Sequence, residues 1–155
     1  MNKAGDIILT RNPPDVGNPT LGYWNHAAIS SGEDIIEAQS APNSVIRTPF
    51  KEFRARYPEL VVLRYADEGK ARKAAAKAKT IVGSLYNRVA SFFFRRSKKS
   101  GEYNCVAVVR DSWQSVLNKN LRWTWPDTIY RTRARHGFVV VEDTRPGKGV
   151  YNENS

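Results

Sequence analysis

Three side chains in this sequence could supply a nucleophile, a base and a carboxylate to orient that base: Cys105, His26 and Glu37. The cysteine, which is the only one in the chain, stands in the run Tyr103-Asn104-Cys105-Val106-Ala107-Val108-Val109. Asn104 suits an N-cap, so a helix is predicted to open at Cys105. A thiol in that first turn meets the positive end of the helix dipole, which favours thiolate and brings a cysteine pKa down from about 8.5. Read by itself, a solitary cysteine is more commonly a small buried hydrophobe. A neighbouring base is what would separate the two readings.

His26 is placed to be that base. The segments His26-Ala27-Ala28-Ile29-Ser30 and Asp34-Ile35-Ile36-Glu37-Ala38 flank Ser31-Gly32 and predict a β-hairpin. With Ser31 and Gly32 as a two-residue loop, Ser30 faces Glu33, Ala28 faces Ile35 and His26 faces Glu37 directly. Cross-strand neighbours lie about 4.5–5.5 Å apart at Cβ, so Glu37 would hold one ring nitrogen and leave the other free. A three-residue loop would instead put Glu37 on a diagonal or on the opposite face. A strand-end histidine is by itself often satisfied and inert. A carboxylate set between Ile36 and Ala38 is less easily dismissed as a surface residue.

These residues, with Gly5-Asp6-Ile7-Ile8-Leu9 before them and Gly83-Ser84-Leu85-Tyr86-Asn87 between the strands and the cysteine, resemble the permuted NlpC-like papain-fold hydrolases of the YaeF/YiiX type. The order histidine, glutamate, cysteine marks that branch, because the permutation moves the cysteine helix behind the strands. The resemblance spans about residues 3–142, and Thr124-Trp125-Pro126-Asp127 is similar to the family's Thr-Pro step. It implies an α+β, circularly permuted papain-like fold with an antiparallel sheet packed on the cysteine-bearing helix. It implies Cys105 as nucleophile, His26 as general base and Glu37 as the residue orienting it. Tyr86, Tyr103 and Asn104 would contact substrate, Tyr86 as a wall or hydrogen-bond donor of the cleft. Val106-Ala107-Val108 depart from the family, which often has a serine or glutamate soon after the nucleophile, and the stretch from Ser91 to Glu102 is unusually long.

The elements that must position these groups follow from periodicity. Strands are predicted at Asp6–Thr10, His26–Ser30, Asp34–Ala38, Leu60–Tyr65 and Phe138–Glu142, each short, apolar and bounded by turn or charged residues. A solvated helix is predicted from Glu68 to Val82, capped by Asp67 and stopped by Gly83. The Cys105 helix differs in having a broad apolar face of Val106, Val109, Trp113, Val116 and Leu117, suited to packing on the sheet. One catalytic domain is expected over residues 1–142, with a polar C-terminal tail over 143–155.

Charge is distributed unevenly. Residues 1–66 hold seven Lys or Arg against seven Asp or Glu, whereas residues 67–155 hold eighteen against eight and so carry the whole net charge of +10. Such a field favours an anionic partner. Phe92-Phe93-Phe94 followed by Arg95-Arg96-Ser97-Lys98-Lys99 suits a membrane surface or an acyl-chain cleft, or else aromatics rooted in the core beneath a solvated loop. No helix-turn-helix, zinc-finger or RNA-recognition motif accompanies the charge, so no sequence-specific nucleic acid is expected. One cysteine and no His-Glu-x-x-His spacing leave no metal or other cofactor required. No segment has the length and apolarity of a signal peptide or membrane span. The chain therefore reads as cytoplasmic when synthesised, or as phage-borne or exported without a cleaved signal.

The chemistry expected is cleavage of an amide or peptide bond through an acyl-enzyme, with cell-wall peptide as one substrate class. Lipid acyl hydrolysis or transfer, of the lecithin:retinol acyltransferase-like kind, is the alternative. A basic, non-catalytic module binding nucleic acid or membrane is the second.

Overall fold

The computed structural model describes residues 2–11, 22–86 and 102–148. In chain order the elements are β1 Ile7–Thr10, β2 His26–Ser30, β3 Asp34–Gln39, β4 Ser44–Pro49, α1 Phe50–Arg56, β5 Leu60–Tyr65, α2 Glu68–Ile81, β6 Leu85–Tyr86, β7 Glu102–Tyr103, α3 Cys105–Leu117, α4 Pro126–Thr132, a 3-10 turn Ala134–His136 and β8 Phe138–Asp143. The strands form one sheet in the order β7-β6-β4-β3-β2-β1-β5-β8. Every described pairing is antiparallel except the short parallel one between β6 and β7.

Apolar runs in the central strands are continuous because helices cover both faces there. Ile7, Leu9, Ala27, Ile29, Ile36, Val61 and Leu63 point into the larger core, where they meet Ala74 and Ala78 of α2, Val109 and Trp113 of α3, and Ile129 of α4. Ile8, Ala28, Ile35, Leu60 and Val62 point the other way, against Phe53 of α1 and the adjoining Tyr57. Successive strand residues face opposite sides, so His26 and Glu37 share the α1 side with Ala28 and Ile35.

Both long helices converge on one glycine. Gly5 has φ of +86°, and a Cβ there would lie 2.4 Å from the Ala71 carbonyl oxygen of α2, so only glycine admits this approach. Its own carbonyl accepts the Trp113 indole N–H of α3 at 3.2 Å. Asp67 caps α2 by accepting the Lys70 N–H at 2.9 Å. Ala71, Ala74, Ala75 and Ala78 of α2 are buried and its Lys and Arg residues are exposed, which matches a helix solvated on its outer side.

The β2–β3 hairpin departs from the predicted register. Ser30 pairs with Ile35 and Ile29 with Ile36, two positions away from the expected partners. The turn is Gly32-Glu33 rather than Ser31-Gly32. Ser31 N–H donates to the Asp34 carbonyl at 2.8 Å, and Gly32 takes φ of +100°, so the positive-φ residue occupies the first turn position, as in a type II′ turn. The Ser30 hydroxyl accepts the Gly32 N–H, which holds that glycine in place. His26 and Glu37 are therefore not paired residues. A slip of two nevertheless preserves side-chain parity, and both stay on one face.

Two further expectations shift. Asp143, placed at the start of a polar tail, is buried in β8 and paired with Val61, and Arg145 donates to it and to the Tyr130 hydroxyl. Any tail begins later, and residues 149–155 lie outside the described residues, as does the basic aromatic segment Phe92–Lys99. The sequence reading also lacked β4, α1 and α4. Pro126 begins α4, where a proline's missing N–H costs nothing.

Candidate active site

The site lies at the end of the sheet where β2 begins and β3 finishes. β2 keeps its pairing with β1 as far as Thr10 opposite His26, and β3 keeps its pairing with β4 as far as Gln39 opposite Ser44. Between β2 and β3 the ladder stops at Ile29 opposite Ile36. Side chains cross where the backbones do not: His26 Nε2 and Glu37 Oε2 are 2.8 Å apart, with both groups buried. A carboxylate only accepts, so Nε2 carries the proton in this bond. The other ring nitrogen, Nδ1, is not used by Glu37, and Cys105 lies close enough to the imidazole to raise its pKa.

Cys105 opens α3. The Asn104 side chain accepts the Ala107 N–H at 2.8 Å, which makes Asn104 the N-cap and Cys105 the first helical residue. Val106, Val109 and Trp113 bury the helix against the sheet and so fix where the thiol points. The Asn104 amide oxygen is thus engaged in the helix cap. Tyr86 pairs in parallel with Tyr103 and donates its N–H to Asn43 at 3.0 Å, so it stands beside the segment leading into Cys105. The side chain of Tyr103 lies outside the described residues.

Glu37 is the most heavily partnered group of the site. Its Oε2 accepts from His26 and from Gln39 Nε2 at 2.6 Å; its Oε1 accepts from Thr48 Oγ1 at 2.6 Å and Arg56 Nη1 at 2.9 Å. Burial by itself would push this carboxyl's pKa up. Hydrogen bonds from His26, Thr48 and Gln39 and the imidazolium charge outweigh burial and hold it below its ordinary value. Burial would likewise lower the pKa of His26. Hydrogen bonds to Cys105 and Glu37, with the negative charge of Cys105, reverse that and hold the imidazole well above 6.5.

The Tyr57 ring lies 5.3 Å from the imidazole centroid, and its hydroxyl accepts from the same Gln39 amide at 2.9 Å. Gln39, Thr48, Arg56 and Tyr57 were absent from the sequence reading. Phe50, Phe53 and Tyr57 recur at i, i+3 and i+7, a helical spacing that would have revealed α1. His136 stands apart on the 3-10 turn, edge-on to Trp123 at 5.6 Å.

Fold and site together define a mixed α/β protein whose antiparallel sheet holds a His–Glu pair against a helix that opens on a cysteine. No family model matches the chain, and no curated protein matches it. Its fold is similar to that of the metalloprotein yiiX from Escherichia coli O157:H7, DUF1105. The TM-score is 0.59 and the identity 22%, covering 76% of this chain and 68% of that one. At this identity the likeness is one of fold, and it is consistent with a papain-like architecture. Among the described residues no group of three His, Cys, Asp or Glu suits a metal ion. The two oxygens of Glu37 already accept four donors, one of them a guanidinium, which leaves that carboxylate poorly suited to a cation.

Proposed function

We propose that the protein is a thiol hydrolase of circularly permuted papain-like architecture that cleaves an amide or peptide bond, with cell-wall peptide as the favoured substrate class. The observation that carries this reading is the buried His26–Glu37 pair, Nε2 to Oε2 at 2.8 Å, with Cys105 at the opening of α3 close enough to the imidazole to raise its pKa. In that arrangement the thiol proton passes to His26 and the sulfur attacks the substrate carbonyl carbon. The tetrahedral intermediate collapses as His26 returns the proton to the leaving amine, which departs and leaves a thioester. Water then adds to the thioester with His26 as base, and the acid product leaves as the thiol is restored. Glu37 keeps the imidazole in the tautomer and orientation both steps require.

The backbone N–H of Cys105, at the first helical position, has no partner within the helix and is a natural donor to the oxyanion. Tyr86 and Tyr103 would line the cleft beside it. The net charge of +10 favours an anionic substrate surface, a property shared by peptidoglycan stem peptides and phospholipids.

Parallel incubation of wild type and Cys105→Ala with a muropeptide digest and with phospholipid vesicles tests the reading. New amine termini from muropeptides, formed by wild type alone, are expected. Fatty-acid release alone would move the assignment to lipid acyl chemistry. Activity retained by Cys105→Ala would overturn the thiol mechanism.

A further inference from the structure

The carboxylate that holds His26 is shared with a second cation. Arg56, in the last turn of α1, donates to Glu37 Oε1 at 2.9 Å while His26 holds Oε2 at 2.8 Å, so one negative charge is divided between two positive partners. Arg56 is held in turn by its neighbour: its guanidinium carbon lies 5.6 Å from the Tyr57 ring centroid, and that ring also faces the imidazole. The Arg56 side chain is 43% exposed, whereas Glu37 is fully buried. The guanidinium therefore closes the solvent side of a carboxylate whose other partners lie inside.

We propose that Arg56 is a positioning residue that shares the charge of Glu37 with His26 and thereby sets the pH range over which His26 stays protonated beside Cys105. The role of Cys105 in this statement rests on the hydrolase reading, but the charge sharing does not. Among the described residues, the titratable or charged groups facing the His26–Glu37 pair are Cys105 from α3, and Arg56 and Tyr57 from α1 and the residue after it. Gln39 and Thr48 add only neutral donors. Arg56 is thus the one fixed cation in this set, and its position on the far oxygen weakens the hold of the carboxylate on the imidazolium. Removing it would give the carboxylate's full charge to His26 and make the imidazolium a weaker acid. Leaving-amine protonation would slow, and the alkaline limit of activity would move to higher pH.

The test follows the His26 ring directly by NMR titration, alongside the pH profile of Cys105 alkylation by iodoacetamide. Wild type is compared with Arg56→Gln, Arg56→Met and Arg56→Lys. The two neutral variants are expected to raise the His26 midpoint by about half a unit or more, and Arg56→Lys to keep it near wild type. Two neutral replacements of different polarity guard against one that fails to fold. Lowered thermal stability with an unmoved midpoint, or a midpoint that falls, would overturn the proposal and leave Arg56 a structural contact. The ring titration needs no reactive thiol. If wild-type Cys105 does not alkylate but the midpoint moves with Arg56, the hydrolase reading fails while the charge sharing stands; if it alkylates and the midpoint is indifferent to Arg56, the reverse holds.

Discussion

The two histidines of this protein meet burial in opposite company. His26 is buried among groups that accept its proton or oppose its charge, Glu37 and Cys105, and its pKa is raised despite desolvation. His136 is only partly shielded, yet its pKa is lowered, first by burial and then by the charges of Lys119 and Arg135. Desolvation acts in the same direction on both. Partners decide the sign, and only His26 has partners that make it a useful base at neutral pH.

The largest expected consequence is kinetic. Replacing His26 with Ala should slow alkylation of Cys105 by iodoacetamide at pH 7 about 10²-fold or more, because the thiol loses the group that takes its proton. His136→Ala should leave the rate unchanged. Equal rates in the His26 variant and wild type would dissolve the contrast and with it the hydrolase reading.

A second expectation concerns the titrations themselves. In an NMR titration His26 should ionise above 6.5 and His136 below it. Glu37→Gln should lower the His26 midpoint toward that of His136 and cut alkylation by about 10-fold. The Gln amide removes the carboxylate charge but still offers an oxygen to Nε2–H. If the His26 midpoint stayed put, Glu37 would have to be regarded as a steric support.

The smallest effect is on stability. His26 has a folded pKa above its unfolded value of about 6.5, so its contribution is fully present below that pH and is lost as pH rises through the folded value. The Tm gap between wild type and His26→Ala should therefore narrow from pH 6 to pH 9. Glu37 has a depressed folded pKa, so its contribution exists above about 4.3 and disappears as pH falls through the folded value. His136 should show the inverse of His26: its folded pKa lies below 6.5, so protonation penalises the native state and the penalty grows as pH falls below about 6.5. A His26 gap constant across this range would mean that its ion pair contributes nothing to folding.

Much of the fold was legible because its signals are local. Asp67 and Asn104 both cap the helices their side chains predicted, at the Lys70 and Ala107 N–H groups. Continuous apolar strands such as Ile7-Ile8-Leu9 declared their own burial. Ser44–Pro49 escaped notice because it mixes buried Val45 and Thr48 with exposed Arg47 and ends in proline, so neither alternation nor an apolar run marks it. Phe50–Arg56 is barely two turns long, and its stability comes from Phe53 packing on the sheet rather than from propensity.

The sequence alone determined which groups are available for chemistry: one thiol, two imidazoles, an N-cap before the thiol and a carboxylate set among apolar residues. Residue type and spacing along one strand or one helix are enough for that, because backbone periodicity fixes which side chains share a face. Only the tertiary structure decided how those groups meet. The turn moved by one residue onto Gly32-Glu33 since a glycine at positive φ fits the first position, and the register moved by two with it. That Glu37 still reaches His26, across strands no longer paired at that point, depends on Thr48 of β4 and Arg56 of α1, with Gln39 beside it on β3, holding its two oxygens. The bonds from Thr48 and Arg56 carry no local signature, since they form only when packing has brought the segments together and removed the water that would otherwise compete for the carboxylate.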